Sequence, residues 1–129
     1  MFPLTTKRVH DAPSPADGTR VLVMRFWPRG VPRAGIHHWF RELGASPELI
    51  KQWKQGTITW TEFRRAYRRG LQDPAARQAI AEIRKLLAKS PVTLLCSCPE
   101  ETRCHRSLLK QEILRQTVTL RIAPARAGR

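Results

Sequence analysis

The chain predicts an α/β fold: a single three-layer domain with a small, mainly parallel sheet flanked by helices. Three observations lead there. Thr19–Phe26 and Val92–Cys96 are apolar runs of strand length without clean alternation, the pattern of strands covered on both faces. The segment between them repeats apolar residues at helical spacing, long enough to cross over a sheet. Proline, Asp-Gly and Ser-Pro steps cut the pattern into pieces of element length. A chain of 129 residues, 41% hydrophobic and with four Trp, has material for one core. The domain is expected over residues 1–123, with 124–129 a disordered basic tail.

Taken in order, Thr6–His10 reads as a short strand. Asp11-Ala-Pro-Ser-Pro-Ala-Asp-Gly18 cannot continue it and forms a loop. The strand 19–26 follows, then Trp27-Pro-Arg-Gly-Val-Pro-Arg33, where Pro28 and Pro32 forbid regular pairing and make a rigid loop. Ile36, Trp39, Phe40 and Leu43 fall on one helical face ended by Gly44. Ser46-Pro47 caps and opens a helix running to about Lys54. Thr59-Trp-Thr-Glu62 has capping-box spacing. Behind it Trp60, Phe63, Tyr67 and Leu71 form one apolar stripe, opposite Arg64, Arg65, Arg68 and Arg69. Asp73-Pro74 opens a helix with the stripe Ala76, Ile80, Ile83 and Leu87, stopped by Ser90-Pro91. After the strand 92–96 comes a last helix, Arg106 to about Gln116, with Leu108, Leu109 and Ile113 inward. Thr117–Ala123 has a β-type pattern and is expected as an edge or final strand.

With 24 Lys+Arg against 10 Asp+Glu the chain is formally +14, a field that attracts polyanions. Nucleic acid or a nucleotide is the expected partner class, against the alternative that the charge serves solubility alone. No apolar run approaches the ~20 residues of a membrane span, and the N-terminus lacks a signal-peptide core, so a soluble cytoplasmic protein is expected. No Walker loop, no Gly-x-Gly-x-x-Gly and no paired carboxylate dyad appears.

The three cysteines lie within nine residues, in Cys96-x-Cys98-x5-Cys104-His105-Arg106, between a strand end and a helix start. Three readings stand. As reactive thiols, Cys104 would be the nucleophile at a helix N-terminus, Cys98 its partner and His105 a base or orienting group. As ligands, Cys96, Cys98, Cys104 and His105 would hold zinc or iron, although Cys-x-Cys is not the usual knuckle spacing. As structure, Cys96 would be a buried small hydrophobe and Cys104-His105-Arg106 a capping turn. Glu100 and Glu101, in the same loop, read as loop-surface charges, against the alternative of a base or a ligand.

Parallel sheets place sites at the C-terminal ends of their strands, so the Trp27–Arg33 and Cys96–Arg106 loops should open on one edge. Arg20, Arg25 and Arg29, with Arg106, would then hold a phosphate beside Trp27, which could stack a base. The alternative for Trp27 is a core anchor. An enzyme acting on a phosphate-bearing ligand is one outcome; a non-catalytic nucleic-acid module or a metal-site protein are the others. His37 and His38, adjacent on one element, face different ways and do not share a metal.

Lys7-Arg-Val-His-Asp11, Ser14-Pro-Ala-Asp-Gly-Thr-Arg20 and above all Arg25-Phe-Trp-Pro-Arg-Gly-Val31 resemble the domain of unknown function 488 family, in its YeaO-like branch. Trp39, Ser46-Pro-Glu-Leu49, the Phe63–Tyr67 helix and Val92–Cys96 fit the same pattern, and Cys96…Cys104-His105-Arg106 resembles other branches. The resemblance covers about residues 6–115 and departs at Met24, where the branch carries an acidic residue. It implies a compact α/β domain and no particular reaction.

Overall fold

The computed structural model describes residues 1–98 and 100–115. Four strands form one sheet in the order β1 (Leu4–Arg8), β4 (Val92–Cys96), β2 (Thr19–Leu22), β3 (His38–Trp39). Every pairing is parallel. Three helices, α1 (Pro47–Lys54), α2 (Trp60–Gly70) and α3 (Pro74–Leu87), lie between β3 and β4. A fourth, α4, spans residues 105–115. The α/β domain with its small parallel sheet is therefore as expected. No described helix is long and apolar enough to cross a membrane.

β4 is the centre of the sheet, hydrogen-bonded on both sides, and all five of its residues are buried. The period of two along β2 and β4 divides the core. Val21, Val23, Val92 and Leu94 pack with Leu49, Phe63, Ile80 and Leu109 from the four helices. Leu22 and Leu95 point the opposite way and meet Trp27, Val31, Ile36 and Trp39. One face is thus covered by helices and the other by the looped chain 24–39.

Caps follow the sequence closely. Ser46 Oγ accepts from the Leu49 amide, and Thr59 with Glu62 makes the reciprocal capping box. Asp73 precedes α3 without a side-chain cap bond.

Three expectations change. The helix expected over 36–43 is instead the short strand β3 followed by one 3-10 turn, Arg41–Leu43. The His37 amide donates to Arg20 O and the Phe40 amide to Leu22 O, so the free edge of β2 takes these backbone groups. Ile36 and Trp39 then pack under one face while Phe40 and Leu43 pack under the other, a division a single helical stripe does not make. The strand expected over 19–26 pairs only to Leu22, with one more bond from the Val23 amide to Leu95 O. Beyond it the chain leaves the sheet, and Met24 O accepts from Trp39 Nε1 instead. The first strand is shifted two residues toward the N-terminus, in the register Leu4↔Val92 to Arg8↔Cys96. The expected strand Thr117–Ala123 and the tail 124–129 lie outside the described residues.

Candidate functional site

The C-terminal ends of β4 and β2 bring together what the sequence spreads over residues 23–106. Cys96 is the last residue of β4. The chain leaves the sheet through Cys98, makes a 3-10 turn at Glu101–Arg103, and passes in extended form through Cys104 into α4. His105 opens that helix, and its Nε2 lies 2.5 Å from the carbonyl oxygen of Val23 at the end of β2. A carbonyl only accepts, so Nε2 carries a proton and Nδ1 is the nitrogen left to face the sulfurs. Nδ1 faces two sulfurs, 3.8 Å from Cys96 Sγ and 3.9 Å from Cys104 Sγ. Cys98 Sγ is 3.7 Å from Cys96 Sγ, and the four ligand atoms all lie within 4.8 Å of one another.

This cluster is sheltered. Cys96, Cys104 and His105 are buried and Cys98 is half-buried. The Tyr67 and His105 rings pack edge-to-face with centroids 5.4 Å apart, and the Tyr67 hydroxyl donates to Leu43 O at 2.7 Å. Burial, with the nearby thiol groups, holds the Tyr67 hydroxyl well above the ordinary phenol range. Arg106 is also buried and donates from Nη1 to Cys98 O (2.8 Å) and to Cys104 Sγ (3.7 Å). No ion pair of Arg106 with a carboxylate occurs among the described residues.

The thiols act as a set. Cys96 is driven far down, first by hydrogen bonding from Cys104 and then from Cys98, against the effect of burial. Cys104 is driven up by the same bond to Cys96, then by Cys98 and by burial. The hydrogen bonding among the three thiols thus favours ionisation at Cys96 over Cys104. Cys104, expected as a nucleophile, is fully covered and its position favours the thiol form.

A cavity of about 560 Å³ opens against this cluster. Cys96, Cys98, Cys104 and His105 line one side of it, and α1 and Phe63 of α2 line the other. Arg25 reaches it from the end of β2 while its Nη2 donates to Gly44 O.

Of the arginines expected at a shared mouth, the structure brings Arg25 and Arg106 to the cysteines. It does not bring Arg20, Arg29 or Trp27 there. Arg20 is buried between Asp17 Oδ2 (2.5 Å) and Gly35 O (2.7 Å). Trp27 is packed edge-on against Trp39, donates to Val31 O and carries the Arg33 guanidinium over its face. That is the core-anchor reading of Trp27. Arg29 is exposed and does not line the cavity, and Gly30 beside it has φ +79°, which explains the glycine in Trp-Pro-Arg-Gly. Sequence reasoning missed the Val23 carbonyl, a backbone group no side-chain pattern announces. It also passed over Lys51 and Lys54, which line the cavity together with Arg103, a cation expected beside Cys104. The i, i+3 spacing of the two lysines around Trp53 was the available signal.

Fold and site together define a small parallel-sheet α/β protein with a buried three-cysteine, one-histidine cluster at its strand ends. The chain belongs to the DUF488 family: the family model described as "DUF488-N3a: Active DUF488-N3 subclade" matches residues 4–117. It is 36% identical over 108 residues to the uncharacterized protein Rv3073c of Mycobacterium tuberculosis, covering 81% of this chain and 87% of that one. It is 35% identical over 106 residues to the uncharacterized protein YeaO of Escherichia coli, covering 80% and 90%. No solved structure matches the chain.

Proposed function

We propose that the protein is a zinc-binding domain in which Cys96, Cys98, Cys104 and His105 hold one metal ion beside a ligand cavity. The observation that carries this is the commitment of His105: Nε2–H bonded to the Val23 carbonyl, Nδ1 turned to the sulfurs. Metal-bound histidines are held in this way by a carbonyl or carboxylate partner. Zinc with bonds of about 2.3 Å to sulfur and about 2.0 Å to nitrogen separates tetrahedral ligands by about 3.5 Å between sulfur and nitrogen and about 3.8 Å between two sulfurs. The Cys96–Cys98 sulfur separation of 3.7 Å matches that size, the sulfur–nitrogen distances of 3.8 and 3.9 Å lie a few tenths of an ångström beyond it, and the whole set lies within 4.8 Å, a cluster that a small inward movement closes on one ion.

Arg106 supports the same reading. A buried guanidinium is costly without an anion near it. Three thiolates and a divalent ion carry a net negative charge, which Arg106 would offset through its contacts with Cys104 Sγ and Cys98 O. The donor set is one that suits zinc, and four protein ligands would close the site. The ion would tie the end of β4, the loop after it and the start of α4 into one wall of the cavity.

Protein expressed without a tag in zinc-supplied medium should contain about one zinc per chain by elemental analysis. Cobalt exchanged into it should show the visible bands of a tetrahedral thiolate site, and Cys98→Ser should weaken retention of either metal about 10-fold or more. Wild-type protein with no stoichiometric zinc or iron, and with all three thiols free to titrate after unfolding without chelator, would overturn the assignment.

A further inference from the structure

We infer that the cavity beside the cluster is a binding site for an aromatic ring carrying a phosphate, of the size of a nucleoside monophosphate. This goes beyond the metal assignment and does not depend on it. The volume, about 560 Å³, falls in the range of roughly 300–1,000 Å³ usual for small-molecule sites. Its lining divides into two chemistries. Phe26, Trp53 and Phe63 give it aromatic surface, with Ile50 and Met24 beside them. Arg25, Lys51, Lys54 and Arg103 give it positive charge, and no acidic residue occurs among its described lining residues.

These cations are available. No ion pair involving Lys51, Lys54, Arg103 or Arg25 occurs among the described residues. Arg25 Nε is buried and has no hydrogen-bond partner among the described residues, although Nη2 of the same guanidinium is bonded to Gly44 O. Phe26 is 63% exposed, one of three large apolar side chains left in solvent among the described residues, and it stands at this cavity. An exposed ring beside an apolar recess offers a stacking face. A phosphate monoester of charge about −1.5 to −2 matches a cluster of unpaired cations, and a planar ring matches the aromatic wall. Inorganic phosphate would leave the aromatic wall uncovered, and a nucleoside would leave the cations unmatched.

Titration calorimetry on the purified protein tests this with four probes: a panel of nucleoside 5′-monophosphates, the nucleosides, inorganic phosphate, and a short single-stranded oligonucleotide. At least one monophosphate should bind about 10-fold or more tightly than both its nucleoside and phosphate. Phe26→Ala and the pair Lys51→Gln, Lys54→Gln should each weaken that binding about 10-fold. These side chains are exposed or half in solvent and outside the cysteine cluster, so metal content should not change. Three results would overturn the inference: no monophosphate binding at millimolar concentration, binding equal to that of phosphate, or binding untouched by both variants. An oligonucleotide bound far more tightly than any monophosphate, with a steep salt dependence, would replace it with a nucleic-acid surface. Loss of nucleotide binding with zinc retained, or the converse, separates this inference from the metal assignment.

Discussion

Arg20 shows how a plausible ligand residue becomes a structural one, and the change can be measured. Its side chain is 5% exposed and bonded to Asp17, whose carboxylate also accepts from Lys7 Nζ at 3.1 Å and from the Ser14 amide at 3.0 Å. At an effective dielectric of about 20, opposite charges some 4 Å apart attract by about 4 kcal/mol. Asp17→Asn removes the only acidic partner of a buried guanidinium among the described residues, so the expected loss is about 3 kcal/mol, within the range for breaking a buried pair. Arg20→Met should cost less, about 2 kcal/mol, because Asp17 keeps Lys7 as a counter-charge.

The ordering also depends on pH. Burial raises the Asp17 carboxyl, but hydrogen bonds from Ser14, Lys7 and Arg20 outweigh this and hold it below its ordinary value. A depressed carboxylate contributes fully above its unfolded pKa of about 3.9 and loses that contribution as pH falls through the folded value. The gap between wild type and Asp17→Asn should therefore be constant from neutral pH down to about pH 4 and shrink below it. Urea unfolding at several pH values reads both effects. An Arg20→Met variant at least as unstable as Asp17→Asn, or a gap that widens in acid, would refute the reasoning. Arg20→Met should also leave any ligand at the cysteine-side cavity unaffected, since Arg20 does not line it.

Two further variants probe the supports of the site. Tyr67→Phe leaves the Leu43 carbonyl without its buried donor and should lower stability by about 1–2 kcal/mol in the same urea assay, with the ring contact to His105 preserved. Gly44→Ala would drive a methyl group into the backbone of Met24 and Arg25, where no side-chain rotation relieves it, so thermal unfolding should register a loss of about 2 kcal/mol or more.

Much of this protein is determined by local sequence. Ser46-Pro47, the Thr59–Glu62 box and Asp73-Pro74 set the three helix starts. The run Val92–Cys96, apolar except for Thr93 and too short for a helix, read as a strand covered on both faces, because a half-exposed strand would be polar at every second residue. The cysteine–histidine loop was legible as a place, since its residue types and its position between strand and helix are local properties.

Tertiary structure decided the rest. Whether Ile36–Leu43 became helix or strand turned on an open edge of β2, a partner 17 residues away that no local pattern contains. Which arginines reached the cysteines turned on where the chain left the sheet after Leu22. Arg25 swings toward the cluster and Arg20, one face over, is closed in by Asp17. The proton on His105 is assigned by a carbonyl 82 positions earlier in the chain. Side-chain types carry the potential for ligation or charge, but hydrogen bonding and burial select among their roles, and both come from neighbours that only the folded chain supplies.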